Sequence, residues 1–268
     1  MIPTVSGATR LYVIIGDPIA QVRAPGGVSE AFAERGHDGI LVPVQVATAD
    51  VSDFLSVAMR LKNLDGIVAT IPHKFACYEA CASTTRRAQV LRVANLLRRR
   101  TDGKWHGDMI DGLGFVAAAK AKGTDLQNKR ALLVGAGGAG SAIALALLDA
   151  GVSELAIHDS ELARRDALIA LLNTLGKARV EAGTADPDGY DLVANATPAG
   201  MQVGDPLPVD VSRLRPSAYC GCVITKPEVS PFIAAARKAG CVTATGTDMY
   251  HAQQAMMVDF LLGQDGEE

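Results

Sequence analysis

The sequence lacks the two kinds of hydrophobic segment that direct a chain into or across a membrane. No apolar run reaches the roughly 18 residues that a membrane-spanning helix needs. The opening MIPTVSGATRLY has neither the basic nor the apolar region of a signal peptide. With 49% hydrophobic and 21% charged residues, the 268-residue chain has an ordinary globular composition. We therefore expect a cytoplasmic protein without membrane partners, long enough for two modest domains.

A strong net charge is also absent. The value of −3 at pH 7 argues against a dedicated nucleic-acid-binding protein. One basic stretch surrounds a predicted hairpin turn at residues 100–103, and we interpret it as a solvated surface, with a phosphate or protein partner as the open alternative. Its arginines are Arg86, Arg87, Arg92, Arg98, Arg99 and Arg100.

Cysteine pairs with the spacing of a metal site are missing as well. The five cysteines are an odd number, and cytosolic chains seldom keep disulfides. Cys77 and Cys81 have helical spacing, and Cys220 and Cys222 share one face of a strand, but no second Cys or His pair accompanies either at zinc-finger spacing. We interpret them as small core residues and predict no metal.

What the sequence does contain is an alternation of strand-like and helix-like segments. In the first block we predict strands at 11–15, 40–46 and 66–70 and helices at 27–35 and 50–61, a rhythm that indicates a parallel sheet covered by helices. A second block begins near residue 129, with strands at 130–134, 154–158, 190–194, 218–224 and 241–244 and helices at 141–150, 162–175 and 252–262. No flexible linker separates the blocks, so the two domains are expected to meet across a cleft.

The second block contains a dinucleotide-binding motif. Gly135, Gly137 and Gly140 form G-x-G-x-x-G directly after a strand and at the start of a helix, where backbone N–H groups can approach a pyrophosphate. Asp159 ends the next strand, where an acid accepts hydrogen bonds from ribose hydroxyls and repels a 2′-phosphate. We therefore predict NAD as the preferred cofactor, with NADP possible. Arg164 and Arg165, one turn further on, are expected to face solvent, with a weakening of the preference for NAD as the open alternative.

These motifs, taken in order, resemble the shikimate dehydrogenase family of shikimate and quinate dehydrogenases. The match includes "GDPI" at 16–19, "TIPHK" at 70–74, Asn95, "DGLGF" at 111–115, "GAGGAG" at 135–140, "NATPAGM" at 195–201 and Gln253. The resemblance implies a two-domain α/β fold. A substrate domain (1–110) is followed by a Rossmann-type, doubly wound cofactor domain (111–241), and a C-terminal segment (242–268) returns to the first domain. Further cofactor contacts implied on this basis are Gly138, Ala139, Asn195, Thr197, Pro198, Met201 and Gly246.

The resemblance also implies a catalytic pair, Lys74 and Asp111. Oxidising a secondary alcohol removes a proton from oxygen as hydride leaves carbon, so a positioned base is needed. A neutral lysine amine in a low-dielectric site can accept that proton, and Asp111 would hold the lysine and a substrate hydroxyl. Thr70, Asn95 and Gln253 match family positions that bind ring hydroxyls.

The chain departs from the family pattern at the expected carboxylate site. The family has H-S-x-S-P where this sequence has Gln21-Val22-Arg23-Ala24-Pro25, so both serine hydroxyls are missing. An expected Asn is Val68, an expected Tyr is Thr225, and the N-T-D-G turn is Met109-Ile110-Asp111-Gly112. The guanidinium of Arg23 either forms paired hydrogen bonds with a substrate carboxylate that lies in a different position, or it faces solvent.

We therefore predict an NAD(P)-dependent oxidoreductase acting on a cyclic polyol or hydroxy acid related to shikimate or quinate, with weak or no shikimate activity. A nucleotide-binding sensor without turnover is the alternative, and a dehydrogenase of amino acids or folate fits the motif spacing less well. The expected partner is a small molecule, and the chain is expected to be a monomer or homodimer.

Overall fold

The computed structural model describes residues 5–264, which fold into two compact units. The first unit contains the chain up to Ile110 and the segment from Gln253 onward, and the second contains Asp111–Ala252. The last helix begins in the second unit and ends in the first. Within the described residues, no helix is both long enough and apolar enough to cross a bilayer.

The first unit is built on a six-stranded mixed sheet with the strand order β2-β1-β3-β5-β6-β4. Its strands are β1 (Arg10–Gly16), β2 (Gly39–Gln45), β3 (Leu64–Ala69), β4 (Ser83–Thr84), β5 (Leu96–Arg99) and β6 (Trp105–Asp108). Its helices are α1 (Ala24–Glu34), α2 (Val51–Ala58), α3 (Lys74–Glu79) and α4 (Arg86–Leu91).

The three predicted strands of this unit are parallel, and the sheet then continues with strands that the sequence analysis did not assign. β1 pairs with β2 and β3 in parallel, whereas β5 pairs with β3 and β6 in antiparallel fashion. The predicted turn joins β5 to β6: Gly103 N–H donates to Arg100 O at 2.9 Å, and Gly103 has a φ of +80°, which glycine adopts without strain. A purely parallel sheet was therefore wrong for this half, because so short a turn joins only antiparallel strands.

The second unit is a doubly wound parallel sheet with the order β12-β11-β10-β7-β8-β9. Its strands are β7 (Arg130–Val134), β8 (Glu154–His158), β9 (Arg179–Ala182), β10 (Leu192–Asn195), β11 (Tyr219–Cys222) and β12 (Val242–Ala244). Its helices are α5 (Asp111–Ala121), α6 (Gly138–Asp149), α7 (Leu162–Asn173), α8 (Pro231–Lys238) and the first half of α9 (Gly246–Leu261). The winding direction reverses between β7 and β10, which in such sheets is the place where dinucleotides bind.

Close helix packing fixes α5 against α6 in this unit. A Cβ on Gly112 would lie 2.1 Å from the carbonyl oxygen of Ala142, so only glycine permits this approach. α9 starts six residues before the predicted helix, because Asp248 accepts hydrogen bonds from the N–H and hydroxyl of Thr245 and pairs with Lys122 at 2.8 Å. The loops at the carboxyl ends of β7, β8 and β10 are thus held on a rigid sheet.

Candidate active site

The loops that follow β1 and β3 meet at the carboxyl end of the first sheet. A Cβ on Gly16 would lie 2.4 Å from Thr70 Cγ2, so the lack of a side chain at Gly16 permits this contact. Thr70 N–H donates to Ile15 O at 2.9 Å, and Asp17 N–H donates to Ile71 O at 3.0 Å. The GDPI and TIPHK motifs, 50 residues apart in sequence, are therefore neighbours in the fold.

Lys74 is the first residue of α3 and is half-buried. The side chain of His73 is buried, and its Nε2 lies 2.7 Å from Val46 O. A carbonyl only accepts, so Nε2 carries the proton, and this bond ties the start of α3 to the chain after β2. The carbonyl of Lys74 accepts from Ala94 N–H at 3.0 Å, which holds Lys74 beside the residue that precedes Asn95.

Asn95 connects this loop to the end of β6. Its N–H donates to Asp108 O at 2.9 Å, and its carbonyl accepts from Ala69 N–H at 2.7 Å. Its side-chain Oδ1 accepts from Ile110 N–H at 3.0 Å. Asp111 is the next residue, buried at the start of α5. The first unit thus brings together Thr70, Lys74, Asn95 and the residue that precedes Asp111.

The positions at which the family was expected to bind the substrate carboxylate carry few polar side chains in this chain. Val22 is half-buried, Ala24 is buried as the first residue of α1, and Val68 is buried inside β3. None of these side chains can hydrogen-bond. Arg23 precedes α1 and is exposed, and its two interpretations stay predictions.

Gln253 offers an acceptor close to this segment. It is 8% exposed, and its Oε1 is buried without a hydrogen-bond partner among the residues that the structure describes. The next residue, Gln254, donates from Nε2 to Gly27 O at 2.8 Å and so ties α9 to the first turn of α1. A buried acceptor left unpaired costs free energy. A ligand hydroxyl that donates to Gln253 would remove this cost.

The glycine-rich turn of the second unit fits a dinucleotide phosphate. Gly135 has a φ of +103°, and a Cβ on Gly140 would lie 1.9 Å from Gly135 O, so both positions require glycine. α6 starts after Gly137 without a side-chain cap, and a Cβ on Gly137 would meet nothing within 4 Å. Space is therefore open beside Gly137, at the start of a helix whose first N–H groups have no side-chain cap and can bind an anion.

Asp159 does not present the open carboxylate that the sequence predicted. Its Oδ2 accepts from Ala136 N–H at 2.6 Å and from Arg164 Nε at 3.2 Å, and its Oδ1 accepts from Glu161 N–H at 2.8 Å and from Arg164 at 2.7 Å. Burial raises the pKa of Asp159, but the bonds from Arg164 and the two N–H groups outweigh burial and hold that pKa below its ordinary value. Arg164, which was expected to face solvent, is half-exposed and also pairs with Asp159, because this buried acid requires a counter-charge.

Asn195 holds the NATPAGM loop by bonds within the loop and to β11. Its Oδ1 accepts from the N–H of Thr197 at 3.0 Å and from its hydroxyl at 2.7 Å. Its Nδ2 donates to Ala199 O and to Cys222 Sγ, both at 3.4 Å. A Cβ on Gly135 would lie 2.8 Å from Thr197 Cγ2, so this loop packs against the glycine-rich turn. The side chain of Asn195 shapes the loop, and the loop backbone is what a cofactor can contact.

The other predicted residues occupy varied positions around these loops. Thr225 is half-buried after β11, and Gly246 starts α9, where a Cβ would lie 2.4 Å from Ile224 O. Met201 packs against the core of the second unit, and Pro198 is exposed. The first turn of α6 contains Gly138 and Ala139.

One functional candidate, Asp108, was missed by the sequence analysis. It is 1% exposed and forms an ion pair with Arg87. The only signal in the sequence was an acid three positions before Asp111, in a strand too short to be recognised by its pattern.

Comparison with known proteins shows the family to which the chain belongs. Residues 14–97 match the model of the shikimate dehydrogenase substrate binding domain. The chain is 34% identical over 254 residues to shikimate dehydrogenase (NADP(+)) of Rubrobacter xylanophilus, covering 91% of this chain and 88% of that protein. It is similar to the structure of 5-ketofructose reductase of Gluconobacter sp. strain CHM43, with a TM-score of 0.81 and 26% identity over 95% and 93% of the two chains. It is also similar to quinate dehydrogenase from Corynebacterium glutamicum in complex with NAD, with a TM-score of 0.84 and 27% identity over 95% and 94% of the two chains.

Proposed function

The chain belongs to the shikimate dehydrogenase family and is an NAD(P)-dependent oxidoreductase of the alcohol dehydrogenase type; from this premise we propose that its substrate is an uncharged, ring-forming polyol or keto-sugar rather than shikimate. The apolar replacement of both serines, Val22 and Ala24, carries this proposal. A carboxylate placed there would exchange hydrogen bonds with water for contact with methyl groups. Each lost bond to a charged group costs about 1.5–3 kcal/mol. The likeness to 5-ketofructose reductase supports the same substrate class.

The proposed chemistry is proton transfer by Lys74, assisted by Asp111. When bound, the nicotinamide ring accepts or delivers hydride at the carbinol carbon. In the oxidation the neutral Lys74 amine takes the hydroxyl proton, and in the reduction its ammonium returns a proton to the developing alkoxide. Asp111 orients the lysine and accepts from a neighbouring substrate hydroxyl. Thr70, Asn95 and Gln253 bind the remaining hydroxyls, and the unpaired Oε1 of Gln253 supports this assignment.

For the cofactor we propose NADP, which replaces the expectation of NAD. The relative in Rubrobacter xylanophilus is named as an NADP(+) enzyme. Arg164 supports the choice, because its half-exposed guanidinium compensates the charge of Asp159 and can pair with a 2′-phosphate. Asp159 already accepts four hydrogen bonds, so a ribose hydroxyl must displace Arg164 before it can bind there.

A substrate panel tests the proposed activity. Purified protein is assayed with NADP and NADPH on shikimate, quinate, their analogues without a carboxylate, and 5-ketofructose. We expect the uncharged compounds to have the higher kcat/KM. The K74A variant should lose about 100-fold or more of kcat, while K104A, which removes an exposed lysine in the hairpin turn, should keep it.

Two outcomes of this panel contradict the proposal. Turnover of shikimate above every uncharged compound would overturn the substrate class. NADP binding without turnover of any compound would favour the sensor instead. As a gain-of-function arm, the double variant V22S/A24S should raise kcat/KM for shikimate relative to the uncharged compounds. The two serine hydroxyls restored by this variant can donate hydrogen bonds to the substrate carboxylate.

The choice between NADP and NAD is tested by replacing each of two neighbouring arginines with alanine. We expect R164A to raise KM for NADP about tenfold, equivalent to about 1.4 kcal/mol, with a much smaller change for NAD. R165A is the matched control, since Arg165 pairs with Asp166. A wild-type preference for NAD that R164A leaves unchanged would return the assignment to NAD.

A further inference from the structure

Asp108 is a buried carboxylate that the proposed reaction does not use. It ends β6, three residues before Asp111, and is 1% exposed. Burying a carboxylate is costly unless it is paired and hydrogen-bonded, so its surroundings indicate what it supports.

The Asp108 carboxylate is fully engaged by two neighbouring segments. Its Oδ1 accepts from the hydroxyl of Thr85 at 2.5 Å and from Met109 N–H at 2.6 Å. Its Oδ2 accepts from the guanidinium of Arg87. The bonds from Thr85 and Arg87 attach it to the start of α4, while the bond from Met109 acts on the segment that leads to Asp111.

The next N–H of that segment is held in the same way. Ile110 N–H donates to Asn95 Oδ1 at 3.0 Å. The side chains of Met109 and Ile110 are apolar and buried, at 2% and 1% exposure, and cannot form hydrogen bonds of their own. Two consecutive N–H groups are therefore fixed by buried side-chain oxygens directly before Asp111.

We propose that Asp108 is a positioning residue that sets the orientation of Asp111 by binding the backbone in front of it, an inference that rests on the proposed catalytic role of Asp111. Arg87 neutralises its charge, and the acceptor at Oδ1 performs the positioning. A carboxylate that served only to attach α4 would not need to bind Met109 N–H. Because that backbone bond is made by the N–H two residues before Asp111, its loss acts on catalysis as well as on stability.

Three variants separate positioning from stability, each assayed at 20 °C with NADPH and 5-ketofructose, or with shikimate and NADP if only shikimate is turned over. D108A removes the acceptor for Met109 N–H. D108N/R87M keeps an Oδ1 acceptor and leaves no unpaired charge. T85A is the matched control, because it removes another bond to the same carboxylate and the side-chain cap of α4. Circular dichroism and the thermal midpoint establish that each variant is folded.

We expect D108A to lose tenfold or more of kcat with KM for NADPH within a factor of two. D108N/R87M and T85A should stay within threefold of wild-type kcat, although T85A melts at a lower temperature. The proposal is overturned if folded D108A stays within threefold of wild type, if T85A loses as much kcat as D108A, or if D108N/R87M is as impaired as D108A.

The D111N variant distinguishes failure of this inference from failure of the proposed function. If D111N keeps full activity, the catalytic role of Asp111 and the positioning role of Asp108 are both wrong, while the proposed activity and substrate class stand on the panel. If D111N is inactive while the kcat of D108A follows its thermal stability as T85A does, only the positioning role of Asp108 is wrong.

Discussion

Among single residues, buried carboxylates show most clearly how charge is managed in this protein. Asp108 and Asp159 are each almost fully buried, and each pairs with one arginine and binds backbone N–H groups. Both also lie at the end of a strand or just beyond one, beside a loop assigned to the site. In each case the carboxylate determines the shape of that loop, and its partner arginine offsets the free-energy cost of burying the charge.

Asp159 should make stability depend on pH in the acid range. Its pKa in the folded state lies below the ordinary value of 3.8, so the unfolded chain binds the proton more readily. Its stabilising contribution is therefore complete above that ordinary value and is lost as pH falls through the folded pKa. We expect D159N to lower the free energy of unfolding by roughly 1.5–3 kcal/mol at pH 7. Urea unfolding from pH 7 to pH 3 measures this difference.

The difference between wild type and D159N should shrink at the acid end of that series, because protonation removes the charge of the wild-type carboxylate. A constant difference across the series would show that charge does not account for the stabilisation. D166N is a suitable control, since Asp166 is an exposed acid on α7, seven residues further along the chain, and pairs with Arg165.

Among the secondary-structure elements, the carboxyl end of helix α2 is capped by one arginine, Arg99 of strand β5. Arg99 donates to Ala58 O, Met59 O, Leu61 O and two further carbonyls, and its guanidinium lies 4.5 Å from the centre of the Trp105 ring. Carbonyl groups at a helix end lack partners within the helix. The interpretation of the basic stretch as a solvated surface was wrong for this residue, because Arg99 caps α2 from β5.

R99A should therefore destabilise the first unit by about 3 kcal/mol, since several carbonyls lose their hydrogen-bond donor and the Trp105 ring loses the guanidinium that lies over it. Arg100 provides the comparison. Its side chain is half-exposed and donates to Ser83, so R100A should change the free energy of unfolding by about 0.5 kcal/mol or less. Urea unfolding followed by the fluorescence of Trp105, the one tryptophan, measures both. Equal effects of the two variants would contradict the capping role.

At the scale of the whole molecule, the charge of the chain and the placement of its arginines point to the same conclusion. The net charge is −3, and several arginines of the basic stretch are engaged within the first unit. Arg87 pairs with Asp108, Arg98 stacks on Phe260, and Arg99 caps α2. Three of the six arginines of the basic stretch are thus held by contacts within this unit.

We therefore expect no binding to nucleic acid. Fluorescence anisotropy of a 30-base-pair duplex and of a single strand should stay unchanged up to about 10 µM protein at 150 mM salt, where dedicated binders saturate. Binding that weakens steeply as salt rises would contradict this expectation, because such a slope reports phosphate contacts.

The sequence alone determined the order of the parts and much of the candidate site. The strands at 130–134 and 154–158 were predicted with their observed ends, because compact apolar runs bounded by polar residues are local signals. The glycine turn, Lys74 and Asp111 were found because each belongs to a short contiguous motif. The elements that were not predicted are β4, β5, β6, β9, α3, α4, α5 and α8. All of them except α5 contain only two to eight residues, too few for a clear period, and the many small residues of α5 mark no single apolar face.

Only the tertiary structure decided which polar groups are already paired. Asp159 was expected to bind ribose, but the structure shows four hydrogen bonds to it, two of them from Arg164. Asn95 was expected to bind a ring hydroxyl, and the structure shows that its Oδ1 also accepts from Ile110 N–H. Asp108 was not singled out because its two side-chain partners, Arg87 and Thr85, lie 21 and 23 residues away. Local patterns indicate which residues are present, but the pairing of a buried charge depends on which distant segments pack against it.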